Sequence, residues 1–295
     1  MKQAIAKAEA LVEAHQYIRG FADRIVVVKV GGSIMDDAQA MRMLITDICF
    51  MDAVGMRPII VHGGGRGITD AMKNAGIEAQ FVQGRRYTDD RTLAIAEHVL
   101  VNEINHQMVQ TIRELGHRPM PMTSLGSCAV FARRMFLQDA EDPARNRIDI
   151  GYVGEVEWVN GPLLTALTAA GHIPVIAPIA RDAAGGKLNV NADIVAGHVA
   201  AAAGAVKLVL VSDTHGIRTR PEDAESLAPS LTRGQIEQLI EQGAISSGML
   251  PKVESALTAL EGGVHKTHIV DGRIPHALLL EVYTDAGIGT EIVLS

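Results

Sequence analysis

The sequence predicts an α/β fold with a largely parallel central sheet. Short β-branched runs such as Ile25–Val30 and Pro58–His62 are almost wholly apolar, amphipathic segments alternate with them, and glycines gather where the runs end. Strands that are apolar on both faces need helices on both sides, the pattern of a parallel sheet. Residues 3–19 put Ile5, Ala8, Leu11, Val12 and Ile18 on one face and predict a helix ahead of the first strand. Strand 25–30 ends at Gly31-Gly32 and is followed by a helix over 37–54. Strand 58–62 runs into Gly63-Gly64-Gly65 and a helix reaching Gly76. Residues 80–88 read as extended, and 89–116 as one long helix with Asp89 or Asp90 at its N-cap. Short strands are expected around 130–137, before a polar loop over 138–147. Helix 161–170 stops at Gly171, a C′ position, and strand 173–177 follows. A turn at 181–186 opens a second part, with helix 191–203, strand 207–211, helices 232–242 and 248–261, and strand 265–270.

Composition removes several function classes. The chain has 295 residues, 47% of them hydrophobic, and a net charge of −7, which argues against nucleic acid as a primary partner. No run reaches the roughly 18 apolar residues of a membrane span. Two cysteines, Cys49 and Cys128, make no disulfide framework, and the charged start lacks a leader's apolar core, so a cytoplasmic protein is expected.

The glycine clusters carry the chemistry. Ligands of open α/β sheets sit beyond the carboxyl ends of the strands, where glycine lets backbone N–H groups approach an anion and a helix N-terminus adds its dipole. Gly31-Gly32 and Gly63-Gly64-Gly65 both occupy such places, and Gly248 precedes another helix. The P-loop and dinucleotide fingerprints are absent: Lys266-Thr267 follows His265, and Ile68 stands where G-x-G-x-x-G needs glycine. The eleven histidines form no H-E-x-x-H or Cys/His set, so no protein-held metal is expected. No G-x-S-x-G elbow accompanies a hydrolase triad.

Two lysines stand out. Lys29 interrupts an apolar strand, and Lys252 lies near a helix start where the dipole disfavours a cation. Both suit point charges over a migrating phosphoryl group. Arg85-Arg86 offers guanidinium forks for a carboxylate, and Asn189-Val190-Asn191-Ala192-Asp193 alternates polar residues into a helix start, with Asn191 a candidate N-cap.

Seven segments in order, VVVKVGG (26–32), IIVHGGG (59–65), GRRYTD (84–89), NVNAD (189–193), KLVLVSDTHGI (207–217), GMLPKVESAL (248–257) and DAGIGT (285–290), resemble the amino-acid kinase family. Within it they are similar to the arginine-sensitive acetylglutamate kinases. That resemblance implies an open αβα sandwich of the carbamate kinase-like type. It also implies an N-terminal oligomerisation and regulatory helix (1–23), an acyl-amino-acid-binding and dimerisation lobe (24–180) and an ATP-binding lobe (181–295). The reaction it implies is transfer of the γ-phosphoryl group of ATP, carrying Mg²⁺ on its phosphates, to the γ-carboxylate of N-acetyl-L-glutamate in arginine synthesis. Carried over, Lys29 and Lys252 would stabilise the transition state and Asp193 would orient both. Gly64, Gly65, Arg86, Asn189 and Asn191 would bind the acid, and Gly31, Gly32, Ser212 and Asp213 the nucleotide. Feedback inhibition by L-arginine is implied by Tyr17–Phe21 ending the first helix, with Tyr17, Lys207, His268, Glu281 and Gly287 as its site and a homo-oligomer, dimer or hexamer, as its setting. A carboxylate is ionised at neutral pH, so such a reaction needs no general base. Ser247 departs from the glycine many relatives have there, Arg85 adds a charge beside Arg86, and Pro119–Arg147 matches least. A kinase for N-acetyl-aminoadipate or a carrier-linked analogue, and a catalytically silent amino-acid sensor, remain the alternatives.

Overall fold

The computed structural model describes residues 1–138, 147–245, 248–283 and 287–295. Helix α1 (Lys2–Phe21) leads into strand β1 (Ile25–Val30), a 3-10 turn (Gly32–Asp36) and α2 (Ala38–Ala53). Strand β2 (Arg57–His62) and α3 (Gly65–Asn74) follow, then a hairpin of β3 (Phe81–Val82) and β4 (Arg85–Arg86). Helix α4 (Asp90–Glu97) passes through a π-helical segment (His98–Asn105) into α5 (His106–Glu114). Next come β5 (Pro119–Met122), β6 (Val130–Gln138), β7 (Arg147–Val159), α6 (Gly161–Ala169), β8 (Ile173–Ile176), β9 (Ile179–Arg181) and β10 (Lys187–Asn189). The remainder is α7 (Ala192–Ala202), β11 (Lys207–Ser212), β12 (Ser230–Thr232), α8 (Arg233–Glu241), α9 (Leu250–Glu261), β13 (Lys266–Asp271), α10 (Ala277–Tyr283) and β14 (Thr290–Val293).

One sheet runs β12-β14-β13-β11-β1-β2-β8-β5, and only β14 and its partner β12 oppose the other strands. Strand alternation divides its core in two. Val26, Val28 and Val30 face α2, α5 and α10, whereas Ile25 and Val27 face α6, α7 and α9. The result is the expected αβα sandwich. A small closed sheet, β10-β7-β6-β9, stands beside it.

Several expectations need correction. Of the predicted apolar face of α1, Ile5 is 50% and Val12 76% exposed, whereas Ile18 packs on the core with Tyr17 and Phe21 of the last turn. The single helix over 89–116 is instead broken by the π-helical turn, which re-registers its C-terminal half. Strand β7 went unread because Gly151 and Gly154 interrupt its alternation, and β9 and β10 because they are too short for any period. The extended reading of 80–88 resolves into the β3–β4 hairpin. The helix expected from Gly248 begins at Leu250. Most of the predicted polar loop (139–146), Ser247, and Asp285 and Ala286 of the DAGIGT segment lie outside the described residues.

Candidate active site

Period two places Lys29 on the same face as Ile25 and Val27, the face covered by α7. Helix α7 begins there because Asn191 caps it, its side-chain oxygen accepting from the N–H groups of Asp193 (2.8 Å) and Ile194 (3.2 Å). That fixes Asp193 in the first turn, with its Oδ1 2.8 Å from Lys29 Nζ. Helix α9 brings the second cation. Gly197 lets α7 and α9 close on each other, since a Cβ there would lie 2.5 Å from the Ser255 carbonyl oxygen. The Ser255 hydroxyl donates to the Asp193 carbonyl, and Lys252 Nζ lies 3.9 Å from Asp193 Oδ2 while donating to Gly248 O at 3.3 Å. Burial disfavours the charge of Asp193, but the two ammonium groups outweigh it and hold the carboxyl below its usual range. Burial pulls the Lys252 ammonium down, with Asp193 opposing.

A cavity of about 640 Å³ opens beside this triad. The two glycine loops form one wall, the β3–β4 hairpin and α3 another, and residues 189–193 the floor. Gly31 is extended there, and a Cβ on it would sit 2.2 Å from Lys29 Nζ, so only glycine leaves the ammonium its place. Gly32 has φ +75° and approaches the Asp213 backbone, whose carboxylate accepts from Ser33 N–H at 3.1 Å. Gly64 caps α3, which places that helix's N-terminus on the cavity.

Arg86 enters from the hairpin, its guanidinium donating to Gly65 O (2.9 Å) and Thr69 Oγ1 (2.8 Å) and stacking 4.8 Å from the Phe81 ring. Burial lowers its pKa. Arg85 also lines the cavity and reaches toward Glu254 on α9, 4.0 Å away. Asn189 donates to Thr88 Oγ1 at 3.3 Å and lines the cavity. Asn191 keeps only its NH₂, because the oxygen caps α7.

The structure thus brings Lys29, Gly31, Gly32, Gly64, Gly65, Arg86, Asn189, Asn191, Asp193 and Asp213 to one cavity. Lys252 adjoins it through Asp193, and Ser212 is buried behind it at the end of β11. Reading the sequence missed Arg66, whose guanidinium pairs with Asp36 at 2.8 Å across the two glycine loops, and Thr69, which steadies Arg86. It also missed a second cavity of about 290 Å³ beyond Asp213, walled by residues 213–218, Ile245, Met249 and Arg273. The strand-end rule applied to β11 and β13 would have pointed to it. Among the described residues no group of three or more His, Cys, Asp and Glu side chains gathers as metal ligands, and no helix is long and apolar enough to cross a membrane.

The remaining predicted residues form a separate cluster. Lys207 opens β11, whereas Ser212 closes it. Lys207 lies 5.5 Å over the Phe21 ring of α1, near Tyr17 on the same helix turn. Burial lowers its pKa. Glu281 of α10 accepts from His268 Nδ1–H, Ile288 N–H (2.8 Å) and Gly289 N–H (3.2 Å), and Gly287 turns past it with φ +53°. Among the described residues, His268 Nε2 is buried there without a hydrogen-bond partner.

The sequence pattern of the amino acid kinase family matches residues 24–271. An acetylglutamate kinase of Moorella thermoacetica is 44% identical over 289 residues, covering 98% of both chains. The N-acetylglutamate synthase of Neisseria gonorrhoeae, solved with coenzyme A and N-acetyl-glutamate, superposes with TM-score 0.86 at 25% identity, covering 98% of this chain and 63% of that one. The carbamate kinase of Giardia lamblia shares the fold, with TM-score 0.64 at 14% identity over 93% of this chain and 99% of its own.

Proposed function

The chain belongs to the amino acid kinase family, and from that premise we propose that it transfers the γ-phosphoryl group of ATP to the γ-carboxylate of N-acetyl-L-glutamate. A carboxylate oxygen bonds to the γ-phosphorus while the bond to the β–γ bridging oxygen breaks, leaving an acyl phosphate and ADP. No proton moves, since the nucleophile is already an anion. The obstacle is bringing two anions together, and the observation that carries the reading is the Lys29–Asp193–Lys252 arrangement beside a cavity lined by two glycine loops. Fixed ammonium groups stabilise charge developing on the transferring oxygens without reorganising.

In this reading residues 24–180 supply the acid side and 181–295 the nucleotide side. Arg86 and the residual hydrogen-bonding groups of Asn189 and Asn191 meet the acid with Gly64 and Gly65. Gly31 and Gly32 meet the phosphates, and the second cavity beyond Asp213 takes the rest of the nucleotide. Mg²⁺ travels on the ATP phosphates, where it neutralises charge, and needs no dedicated cage of side chains. The enzyme works in the cytoplasm as a step of arginine biosynthesis.

L-arginine inhibits it at the cluster around Glu281. A carboxylate in apolar surroundings beside an unpartnered His268 nitrogen suits a guanidinium, and Tyr17 ties the cluster to α1. The exposed Ile5 and Val12 of α1 support packing against a second copy in a dimer or hexamer.

The test is ADP release with a panel of acids. N-acetyl-L-glutamate is expected to give the highest kcat/KM, and millimolar arginine to suppress the rate. A preference for N-acetyl-aminoadipate would reassign the substrate, since a methylene is worth only about 1–3 kcal/mol in a pocket. No acid-dependent release would return the chain to an amino-acid sensor.

A further inference from the structure

His62 is completely buried at the end of β2, immediately before the three glycines, and no part of the reaction above uses it. Its ring touches two groups. Nδ1 lies 3.0 Å from the Gly63 carbonyl oxygen, and Nε2 lies 3.1 Å from the Asn105 amide nitrogen. That nitrogen also donates to the Val175 carbonyl of β8 at 2.9 Å. A backbone carbonyl only accepts, so it fixes which end of the Asn105 amide faces inward. The NH₂ end then donates to Nε2, which must be the unprotonated nitrogen. The single ring proton is left on Nδ1, pointing at Gly63 O. Burial agrees, pulling the imidazole's pKa down to about 4, so the ring is neutral at physiological pH.

The far end of this relay is the loop that faces the cavity. Gly63 N–H donates to Val30 O at 2.7 Å, so with its carbonyl held by His62 the residue is gripped on both sides. A trans peptide points its C=O and the following N–H in opposite directions. Holding Gly63 O toward the interior therefore turns Gly64 N–H away from it, toward the cavity that Gly63–Gly65 line. The π-helical turn completes the device, since it supplies Asn105 below and Leu100 and Ile104 against Gly64, whose Cβ would lie 2.6 and 2.8 Å from them. π-turns inside α-helices recur where a side chain must be re-aimed at a site.

We propose that His62 and Asn105 are positioning residues, which orient the Gly63–Gly64 peptide so that the Gly64 N–H is presented to the bound acid. The part concerning the acid rests on the function proposed above, whereas the orientation of the peptide does not. Two substitutions separate the ring nitrogens, because an Asn amide nitrogen can stand in for Nδ1 and a Gln amide nitrogen for Nε2. His62→Gln is expected to lower kcat/KM for N-acetyl-L-glutamate about tenfold, the worth of one hydrogen bond, with KM for ATP unchanged. It is also expected to speed hydrogen exchange of the 63–65 amides by roughly the same factor. His62→Asn is expected to recover most of both. Equal losses in the two variants, or losses of thermal stability without faster exchange at 63–65, would overturn the proposal. Should neither variant fold, ¹⁵N shifts of the wild-type imidazole decide: protonated Nδ1 is expected, and protonated Nε2 would overturn it. If the wild type turns over no acid, the proposed function fails while exchange and ring shifts still judge the peptide's orientation.

Discussion

Asp193 is 7% exposed between two ammonium groups, whose opposite charge keeps its carboxyl ionised against burial. Lys29→Ala or Lys252→Ala should lower kcat about 10²–10³-fold, the usual cost of one transition-state donor, as read by ADP release. Gly31→Ala is a finer probe. The added methyl would meet only the far end of the Lys29 side chain, so the fold should survive while the ammonium is displaced. A fall in kcat of about 10–100-fold with little change in Tm is expected, because misplacement alone costs rate. Two buried groups near the cavity contribute to the pH response. The lowered value of Asp193 means that its contribution is complete above about pH 4 and is lost as pH falls through the depressed folded value. His62 titrates near 6.5 when unfolded and about 4 when folded. The unfolded chain therefore binds the extra proton between those values, and stability declines as pH drops across that window. The contribution is roughly 3 kcal/mol, and denaturant titrations of His62→Asn against wild type should show a flatter decline.

At the scale of elements, the site depends on the α7–α9 contact. Gly197→Val would push its side chain into the Ser255 backbone and part the helices. A stability loss of about 1–3 kcal/mol from overpacking is expected, together with a kcat defect as Lys252 leaves Asp193. Unchanged kcat in the folded variant would mean that α9 does not set the second lysine. This contact also shows where sequence reading stopped. Lys29 was legible because a charge in IVVVKV has no apolar explanation, and Asn191 because its offset from the helix start is that of a cap. Gly197 was not, since a glycine inside an alanine-rich helix carries no local sign of the backbone it approaches. The same holds for the hold that Gly65 and Thr69, remote in sequence, keep on Arg86, and for Asn105, whose inward aim comes from a π-turn that periodicity reads as ordinary helix. The central strands β1, β2, β8 and β11 declared themselves by largely apolar runs, whereas three strands of the small closed sheet, β7, β9 and β10, are short or glycine-interrupted.

Across the whole molecule, one sheet carries the glycine-lined cavity at one end of its strands and the Glu281 cluster at the other. Strand β11 ends in Ser212 behind the cavity and begins in Lys207 beside Glu281 and α1. Removing residues 1–22 should leave kcat near wild type, reduce the oligomer seen by light scattering, and abolish arginine inhibition. Retained inhibition would sever α1 from the regulatory cluster. The net charge of −7 hides the local balance that matters: Lys29, Arg66, Arg85 and Arg86 line a cavity offered to two anions. The most direct measurement of that account is trapping of the product. Incubation of the wild-type protein with ATP, Mg²⁺, N-acetyl-L-glutamate and hydroxylamine should yield the γ-hydroxamate in equal amount to ADP. ADP released without hydroxamate, or hydroxamate formed only from another acid, would contradict it.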